Sequence, residues 1–417
     1  MEKLYSLFLS SKGVQTDTRK LVAGELFFAL SGDQFDGNNY VEQALEKGAT
    51  HTVSSDLKFI NNPDITVVED VLKTLQDLAT HHRKQLNLSI VALTGSNGKT
   101  TTKELILSVL SQKYRVKGTA GNFNNHIGVP LTLLSFNSTT EIGIVEMGAN
   151  HMKEIEMLAS IALPDYGLIT NYGKAHLEGF GSAENIKIGK SELYENLKKH
   201  HKTAIVAHWD PEQLKRSQGI NQLITNDDYL LEKAEPFIHL KHHDKIIPTR
   251  LTGAYNYHNM LLAATVGRIF KLSDTEILKG LSSYEPTNNR SQIIKIDQLK
   301  IILDAYNANP SSMAVALENL NKQTENKKIA ILGDMFELGT YAAYEHQHIA
   351  DLTEQLALDT TYLIGDNFTK VNSKNAIKFD SFKSFKDTFS IDTQQEAVLL
   401  IKGSRGMELE RIIELLK

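Results

Sequence analysis

The chain has 417 residues, 41% of them apolar and 23% charged, ordinary values for a soluble protein long enough to bury roughly two to four cores. Forty-five Lys and Arg against fifty Asp and Glu leave a formal charge of −5, which argues against a generic nucleic-acid or membrane-surface binder but leaves room for a local anion pocket. There is no cysteine, so disulfides, thiolate metal sites and cysteine nucleophiles are excluded, and a reducing cytoplasm is the expected setting.

The amino terminus, MEKLYSLFLSSKGV, lacks a sustained apolar h-region and a small-residue cleavage site. No window approaches the ~20 apolar residues of a membrane span, so no membrane insertion is expected. Glu25–Leu30 and Asp64–Val68 read as strands, and Tyr40–Lys47 as a helix stopped by Gly48. A second helix, Val71–Gln85, carries Leu72, Leu75, Leu78 and Ala79 on one face and ends in His81, His82, Arg83 and Lys84, cations suited to a helix C-terminus. Ile90–Leu93 is a compact buried-strand pattern, followed by TGSNGKTT and a helix bearing Leu105, Ile106, Val109 and Leu110. Ile142–Val145, Gly167–Thr170 and Ala204–Ala207 are further strands separated by helix-like segments, an alternation that indicates a mostly parallel sheet. Leu223–Thr252 is strand-rich, Tyr257–Phe270 is helical, and Ser273 with Glu276 makes a capping box. A further α/β unit starts near Arg290, with strands at Ile301–Leu303, Ile329–Leu332, Tyr362–Ile364 and Val398–Ile401, helices from Pro310 and Ala342, and a last helix over Glu408–Leu416.

The strongest local signal is Gly95-Ser96-Asn97-Gly98-Lys99-Thr100-Thr101 between a strand and a helix. Such a loop turns backbone N–H groups and a helix N-terminus towards an anion, with the lysine reaching β/γ-phosphates and the first threonine ligating Mg²⁺. The general spacing would place a glycine where Leu93 stands, so the alternative is a glycine-rich turn with a solvated lysine. A guanine reader is missing: Asn171-Tyr-Gly-Lys174 has the wrong order and Asn321-Lys322-Gln323-Thr324 has no aspartate. Glu146 ends an apolar strand, where a carboxylate faces either a ligand crevice and its Mg²⁺ or a neighbouring loop. His176 follows the next strand, and Lys190 lies on a helical stretch where a solvated lysine is the plain reading. The histidine pairs at 81–82, 200–201 and 242–243 read as surface.

Taken together, these segments resemble the Mur ligase family, ATP-dependent amide-forming enzymes of peptidoglycan precursor synthesis, whose shortened GxxGKTT loop accounts for the absent first glycine. Thr16-Asp-Thr18-Arg19, Gly24-Glu-Leu-Phe-Phe-Ala-Leu30 and Gly32-Asp-Gln-Phe-Asp-Gly37 look like its uridine-nucleotide-binding domain. Gly121-Asn122-Phe-Asn124-Asn125-His126-Ile-Gly128-Val-Pro130, Glu146-Met-Gly148 and Ala175-His176-Leu-Glu-Gly179 look like its central ATPase. Asp304-Ala-Tyr306-Asn307-Ala-Asn309-Pro310, Gly333-Asp334-Met-Phe-Glu337-Leu-Gly339 and Lys402-Gly-Ser-Arg405-Gly406 look like its carboxy-terminal domain, in the wording of the member that adds a dipeptide. One departure is Gly253-Ala-Tyr255-Asn256-Tyr-His-Asn259, with tyrosine where the family has histidine.

The resemblance implies an α/β protein of three domains: a small mixed α/β unit over 1–84 for the UDP substrate, a central phosphate-loop ATPase with a mostly parallel sheet over 85–289, and a Rossmann-like unit over 290–417 for nucleotide and dipeptide. The implied reaction joins D-alanyl-D-alanine to UDP-N-acetylmuramoyl-tripeptide through an acyl phosphate, in cytoplasmic cell-wall synthesis on which cell shape and division depend. The alternatives are the relative adding a third residue, diaminopimelate or lysine, and a non-catalytic nucleotide-binding protein. Implied roles put Lys99 on the β/γ-phosphates, and Thr100 with Glu146 on a first Mg²⁺. His176 and a carbamylated Lys190 would take a second Mg²⁺. ATP contacts extend over Gly95–Thr101, Asn256, Asn259, Arg290 and Asp304. Substrate contacts fall to Thr18, Arg19, Asn124, Asn125, His126, Tyr306, Asn307 and Asn309. No nucleic-acid partner is expected, and a monomer is the default.

Overall fold

The computed structural model describes residues 1–416; Lys417, the last residue of the third expected unit, lies outside the described residues. Its strands run β1 Val14–Gln15, β2 Leu26–Phe28, β3 His51–Ser54 and β4 Ile65–Val67 in a first, wholly parallel sheet ordered β1-β2-β3-β4. The second sheet comprises β5 Ser89–Thr94, β6 Val116–Gly118, β7 Ile142–Glu146, β8 Tyr166–Ile169, β9 Thr203–Val206 and β10 Asn221–Ile224, all parallel and ordered β10-β9-β8-β5-β7-β6. A small antiparallel sheet follows, β11 Leu230–Lys233, β12 His239–His242 and β13 Lys245–Pro248. The last sheet takes β14 Gln292–Ile296, β15 Leu299–Leu303, β16 Lys328–Gly333, β17 Thr360–Ile364, β18 Ile377–Phe379 and β19 Ala397–Lys402 in the order β14-β15-β19-β16-β17-β18, with only the β14–β15 pair antiparallel.

The central placement of β5 follows from its composition. Ile90, Val91, Ala92 and Leu93 are fully buried on both faces, as a strand between two helix layers must be. The chain leaves β5 through helix Lys99–Leu110 towards β6 and β7 on one side, then returns to β8 on the other. That reversal opens a crevice at the carboxyl ends of β5, β7 and β8, the place where open α/β sheets bind ligands.

Three sequence expectations are corrected. The terminal segment is not an α-helix: Glu408 takes a left-handed conformation (φ 49°), and Leu409–Leu415 forms a 3₁₀ helix. Its anchors Leu409 and Ile412 are three apart and fully buried, a spacing that suits three residues per turn. His82 and His242 are buried, not surface residues; His82 sits between the Tyr5 hydroxyl (3.2 Å) and the Phe136 carbonyl (3.0 Å). Lys190 is not solvated but fully buried. No described helix is long and apolar enough to cross a membrane.

Candidate active site

Between the carboxyl edges of the two six-stranded sheets lies a cleft of about 630 Å³. Its floor is the loop after β5. Gly95 and Gly98 have φ of +145° and +77°, and a Cβ on them would meet Thr170 Oγ1 at 2.0 Å and Asn259 Oδ1 at 2.7 Å, so both positions demand glycine. Helix Lys99–Leu110 starts immediately afterwards, and its first-turn N–H groups have no partner within the helix. Lys99 folds back over the loop, donating to the carbonyls of Gly95 (2.6 Å) and Ser96 (3.2 Å). Burial lowers its pKa to about 8, with Glu146 opposing the shift and Arg290 adding to it. This is an anion cradle with a lysine that has only loop carbonyls to leave.

Glu146 ends β7 and is 1% exposed. The Thr100 hydroxyl donates to its carboxylate (3.0 Å), as does Asn124 Nδ2 (2.8 Å). A buried anionic carboxylate whose partners are neutral, beside a hydroxyl at the phosphate loop, is a hard-oxygen set that fits Mg²⁺. From β8, Thr170 and Asn171 brace the loop: both side chains donate to the Asn97 carbonyl (2.5 and 3.0 Å), and Asn97 N–H donates to Asn171 Oδ1 (3.1 Å).

The far wall belongs to the carboxy-terminal sheet. Asp304, just past β15, accepts the Ser291 N–H on Oδ1 (3.0 Å) and the Lys402 ammonium on Oδ2 (2.5 Å). The Arg290 guanidinium lies 3.7 Å from the Tyr306 ring centroid. Asn309 caps helix Pro310–Asn321 through Ser312 N–H (2.9 Å) and donates across the cleft to Asn97 Oδ1 (2.7 Å). Further along, Lys174 pairs with Glu345 (2.7 Å) and His176 Nδ1 with Glu337, so both sheets' loops meet.

The structure thus brings Ser96, Asn97, Gly98, Lys99, Thr100, Thr101, Asn124, Asn125, His126, Glu146, His176, Asn256, Asn259, Arg290, Asp304, Tyr306, Asn307 and Asn309 to one cleft. Gly95 lies beneath it. Asn125 also has a structural duty, accepting the N–H groups of Ile127 (3.2 Å) and Gly128 (2.9 Å) at the start of helix Gly128–Ser135. Lys190 does not line the cleft; its amine donates to the carbonyl of Ala149, which does (2.9 Å). Burial holds that amine well below the ordinary lysine range, and the charge on Lys99 adds to the effect. Thr18 and Arg19 lie outside the cleft, Thr18 buried with its carbonyl bound by Lys47 (2.8 Å) and Arg19 exposed and paired with Asp17 (2.8 Å). Sequence reasoning gave no role to Asn171 or Lys402 and marked Tyr255 only as a departure within the nucleotide segment, yet all three are cleft residues. The signals were present, since Asn171 follows a buried strand and Lys402 opens the Lys-Gly-Ser-Arg-Gly run.

Comparison with known proteins agrees with this architecture. Residues 10–86 match "Mur ligase family, catalytic domain", 93–267 "Mur ligase middle domain", and 289–405 "Mur ligase, glutamate ligase domain". The chain is 35% identical to a UDP-N-acetylmuramoyl-tripeptide–D-alanyl-D-alanine ligase of Bacillus subtilis, over 96% of this chain and 92% of that one. Among solved structures it is similar to MurF from Acinetobacter baumannii, with a TM-score of 0.87 at 28% identity over 98% of this chain and 97% of the other. It is also similar to MurF ligase from Thermotoga maritima in complex with ADP, with a TM-score of 0.85 at 27% identity and the same coverage.

Proposed function

The chain belongs to the Mur ligase family and is an ATP-dependent amide-bond-forming ligase, and from that premise we propose that it joins D-alanyl-D-alanine to UDP-N-acetylmuramoyl-tripeptide, releasing ADP and phosphate. The observation that carries the reading is a single cleft in which a phosphate loop and its buried Glu146 face Arg290, Asp304 and Asn309 of the second sheet. We place the reaction in the cytoplasm and propose a monomer as its working unit.

A carboxylate resists attack by an amine because oxide is a poor leaving group. Transfer of the γ-phosphoryl group to the tripeptide's terminal carboxylate makes an acyl phosphate. The dipeptide amine then attacks the carbonyl carbon, and phosphate leaves. Bringing a carboxylate to a triphosphate crowds negative charge, so the cleft must offer preorganised cations and N–H donors. Lys99 and the first turn of its helix would face the β/γ-phosphates, and Thr100 and Glu146 would hold Mg²⁺, whose charge would offset that of the phosphates. Asp304 takes the ribose hydroxyls, Asn256 and Asn259 the nucleoside side, and Arg290 the phosphates. Asn124, Asn125 and His126 guide the acceptor carboxylate, and Tyr306, Asn307 and Asn309 seat the dipeptide. Thr18 and Arg19 hold the uridine nucleotide away from the cleft. Contact of Asn309 with Asn97 closes the second sheet over the loop and excludes water, which would hydrolyse the acyl phosphate. Lys190 is the residue we assign to a carbamate: burial favours its neutral amine, and addition of that amine to CO₂ with release of one proton to solvent would leave an anionic oxygen that, with His176, could hold a second Mg²⁺.

Product mass tests the assigned step. With ATP and Mg²⁺, UDP-N-acetylmuramoyl-tripeptide should gain the mass of the dipeptide less water. A product formed instead from UDP-N-acetylmuramoyl-dipeptide and a single diamino acid would move the protein to the preceding step.

A further inference from the structure

The segment joining the central and carboxy-terminal sheets, Pro286–Ser291, is shaped by an unusual run of conformations. Asn288, Asn289 and Ser291 all take left-handed backbone, with φ of 60°, 56° and 49°. Asparagine tolerates that region, whereas serine does so at a cost and must be held there by its surroundings. From the carboxy-terminal side, Asp304 Oδ1 accepts the Ser291 N–H (3.0 Å), Tyr306 N–H donates to the Asn289 carbonyl (3.2 Å), and the Tyr306 ring stacks on Arg290. From the central side, among the described residues, one hydrogen bond reaches this segment: the Tyr255 hydroxyl meets Ser291 Oγ at 2.7 Å. The linker therefore hangs between two bodies, and Tyr255 is the central body's hold on it.

Tyr255 is placed for this by its own element. It opens helix Tyr255–Ile269, the helix that also carries Asn256 and Asn259 into the cleft. Gly253, at φ +83°, lets the ring lie flat on the backbone, since a Cβ there would stand 2.4 Å from a ring carbon. Ser291 in turn is 7% exposed, so its hydroxyl has little water to turn to. The chain Tyr255–Ser291–Asp304–Lys402 runs unbroken from one sheet's helix to the end of the other sheet's central strand. Beside it, Arg290 lines the cleft and keeps its Nε buried without a hydrogen-bond partner, while the linker backbone is pinned from the carboxy-terminal side.

We propose that Tyr255 is a positioning residue for the nucleoside triphosphate: through Ser291 it fixes the linker so that Asp304 and Arg290 face the nucleotide held by the central sheet. The inference rests on the ligase reading above and assigns a role to the one residue that departs from the family's nucleotide segment. Loss of the hydroxyl leaves the ring packing intact but frees Ser291, and both nucleotide contacts then sample off-target positions. An imidazole is shorter than a phenol and would not span the same gap.

The test uses the full-length enzyme with Tyr255→Phe, Ser291→Ala, the double variant and Tyr255→His. Thermal melts establish that each variant is folded. For Tyr255→Phe, KM for ATP and the calorimetric Kd for ADP should rise about three- to tenfold, the effect of one lost buried hydrogen bond, with kcat and the dipeptide KM changed less than twofold. Ser291→Ala should match it, the double variant should show no further loss, and Tyr255→His should fail to restore affinity. Unchanged ADP affinity in a folded Tyr255→Phe, or additive effects in the double variant, overturns the proposal. A uniform fall in kcat with KM for ATP unmoved would make Tyr255 merely structural and overturns it equally. If wild-type protein itself shows ADP binding but no dipeptide-dependent turnover, the ligase reading has failed while the nucleotide latch stands or falls on the ADP data alone.

Discussion

Lys99 holds the largest single share of the proposed chemistry, because its amine is already bent over the phosphate loop. Lys99→Ala should remove about 3 kcal/mol or more of transition-state stabilisation, by analogy with loss of a positioned donor; kcat/KM for ATP reads this directly, and near-native values would refute the assignment. Lys190 offers a different signature. If its carbamate supplies an anionic ligand, Lys190→Ala should lose activity that added short carboxylic acids partly restore, whereas a purely structural lysine gives no such rescue. Here the sequence was half informative. The motif around Lys190 pointed to a role, but only the fold shows that the helix turns this position inward to Ala149 and Phe180, which makes the plain reading of a solvated lysine untenable. Asn125 shows the reverse: a motif residue read as substrate-binding is also a helix cap, because one side-chain oxygen serves local N–H groups before any ligand arrives.

At the scale of elements, the phosphate-loop helix is set by how closely its neighbour approaches. Helix Asp274–Ser283 packs on it through Gly280, where a Cβ would stand 2.5 Å from the Val109 Cα, and Ser108 donates to the Gly280 carbonyl (2.7 Å). Gly280→Ala should therefore force the helices apart and cost about 1–3 kcal/mol, the usual toll of overpacking, visible in urea unfolding and as weaker ADP binding. A second contact ties helix Val71–Gln85 to the end of helix Gly128–Ser135 through His82, whose ring meets the Phe136 carbonyl (3.0 Å). Burial holds its imidazole below the ordinary value of 6.5, so between the folded and unfolded values the unfolded chain binds the extra proton, and stability falls as pH drops through that window. His82→Asn should be less stable at pH 8 yet lose less on acidification to pH 5.5; an unchanged slope would remove His82 from the account. Strands made of apolar runs, such as β5 and β7, could be read from sequence because burial on both faces leaves no other composition. β3, His51-Thr52-Val53-Ser54, could not, although it is buried throughout, since three of its four side chains are polar and His51 finds its partner, Thr66 (2.8 Å), only once the fold is formed.

At the scale of the whole molecule, the carboxy-terminal sheet lies against the phosphate-loop side of the central one. Asn309 to Asn97, Ser311 to the Lys174 N–H (2.7 Å), Glu345 to Lys174 and Glu337 to His176 form a line of contacts between sequence segments more than a hundred residues apart. Sequence motifs marked both ends of that line, but which end meets which is a property of the assembled sheets. Glu345 is buried while Lys174 keeps about half its side chain in solvent, so Glu345→Ala removes the tie and leaves the ammonium to water; looser closure should then admit water, raising phosphate release without peptide product while ADP affinity stays near native. A ratio of phosphate to product that stays at one would show that this pair does not govern closure.

The most direct measurement is phosphate release from the purified protein with ATP, Mg²⁺ and UDP-N-acetylmuramoyl-tripeptide, with and without D-alanyl-D-alanine. The account predicts release that depends on the dipeptide, with one phosphate for each dipeptide joined. Release that ignores the dipeptide, or none with either mixture, would contradict it.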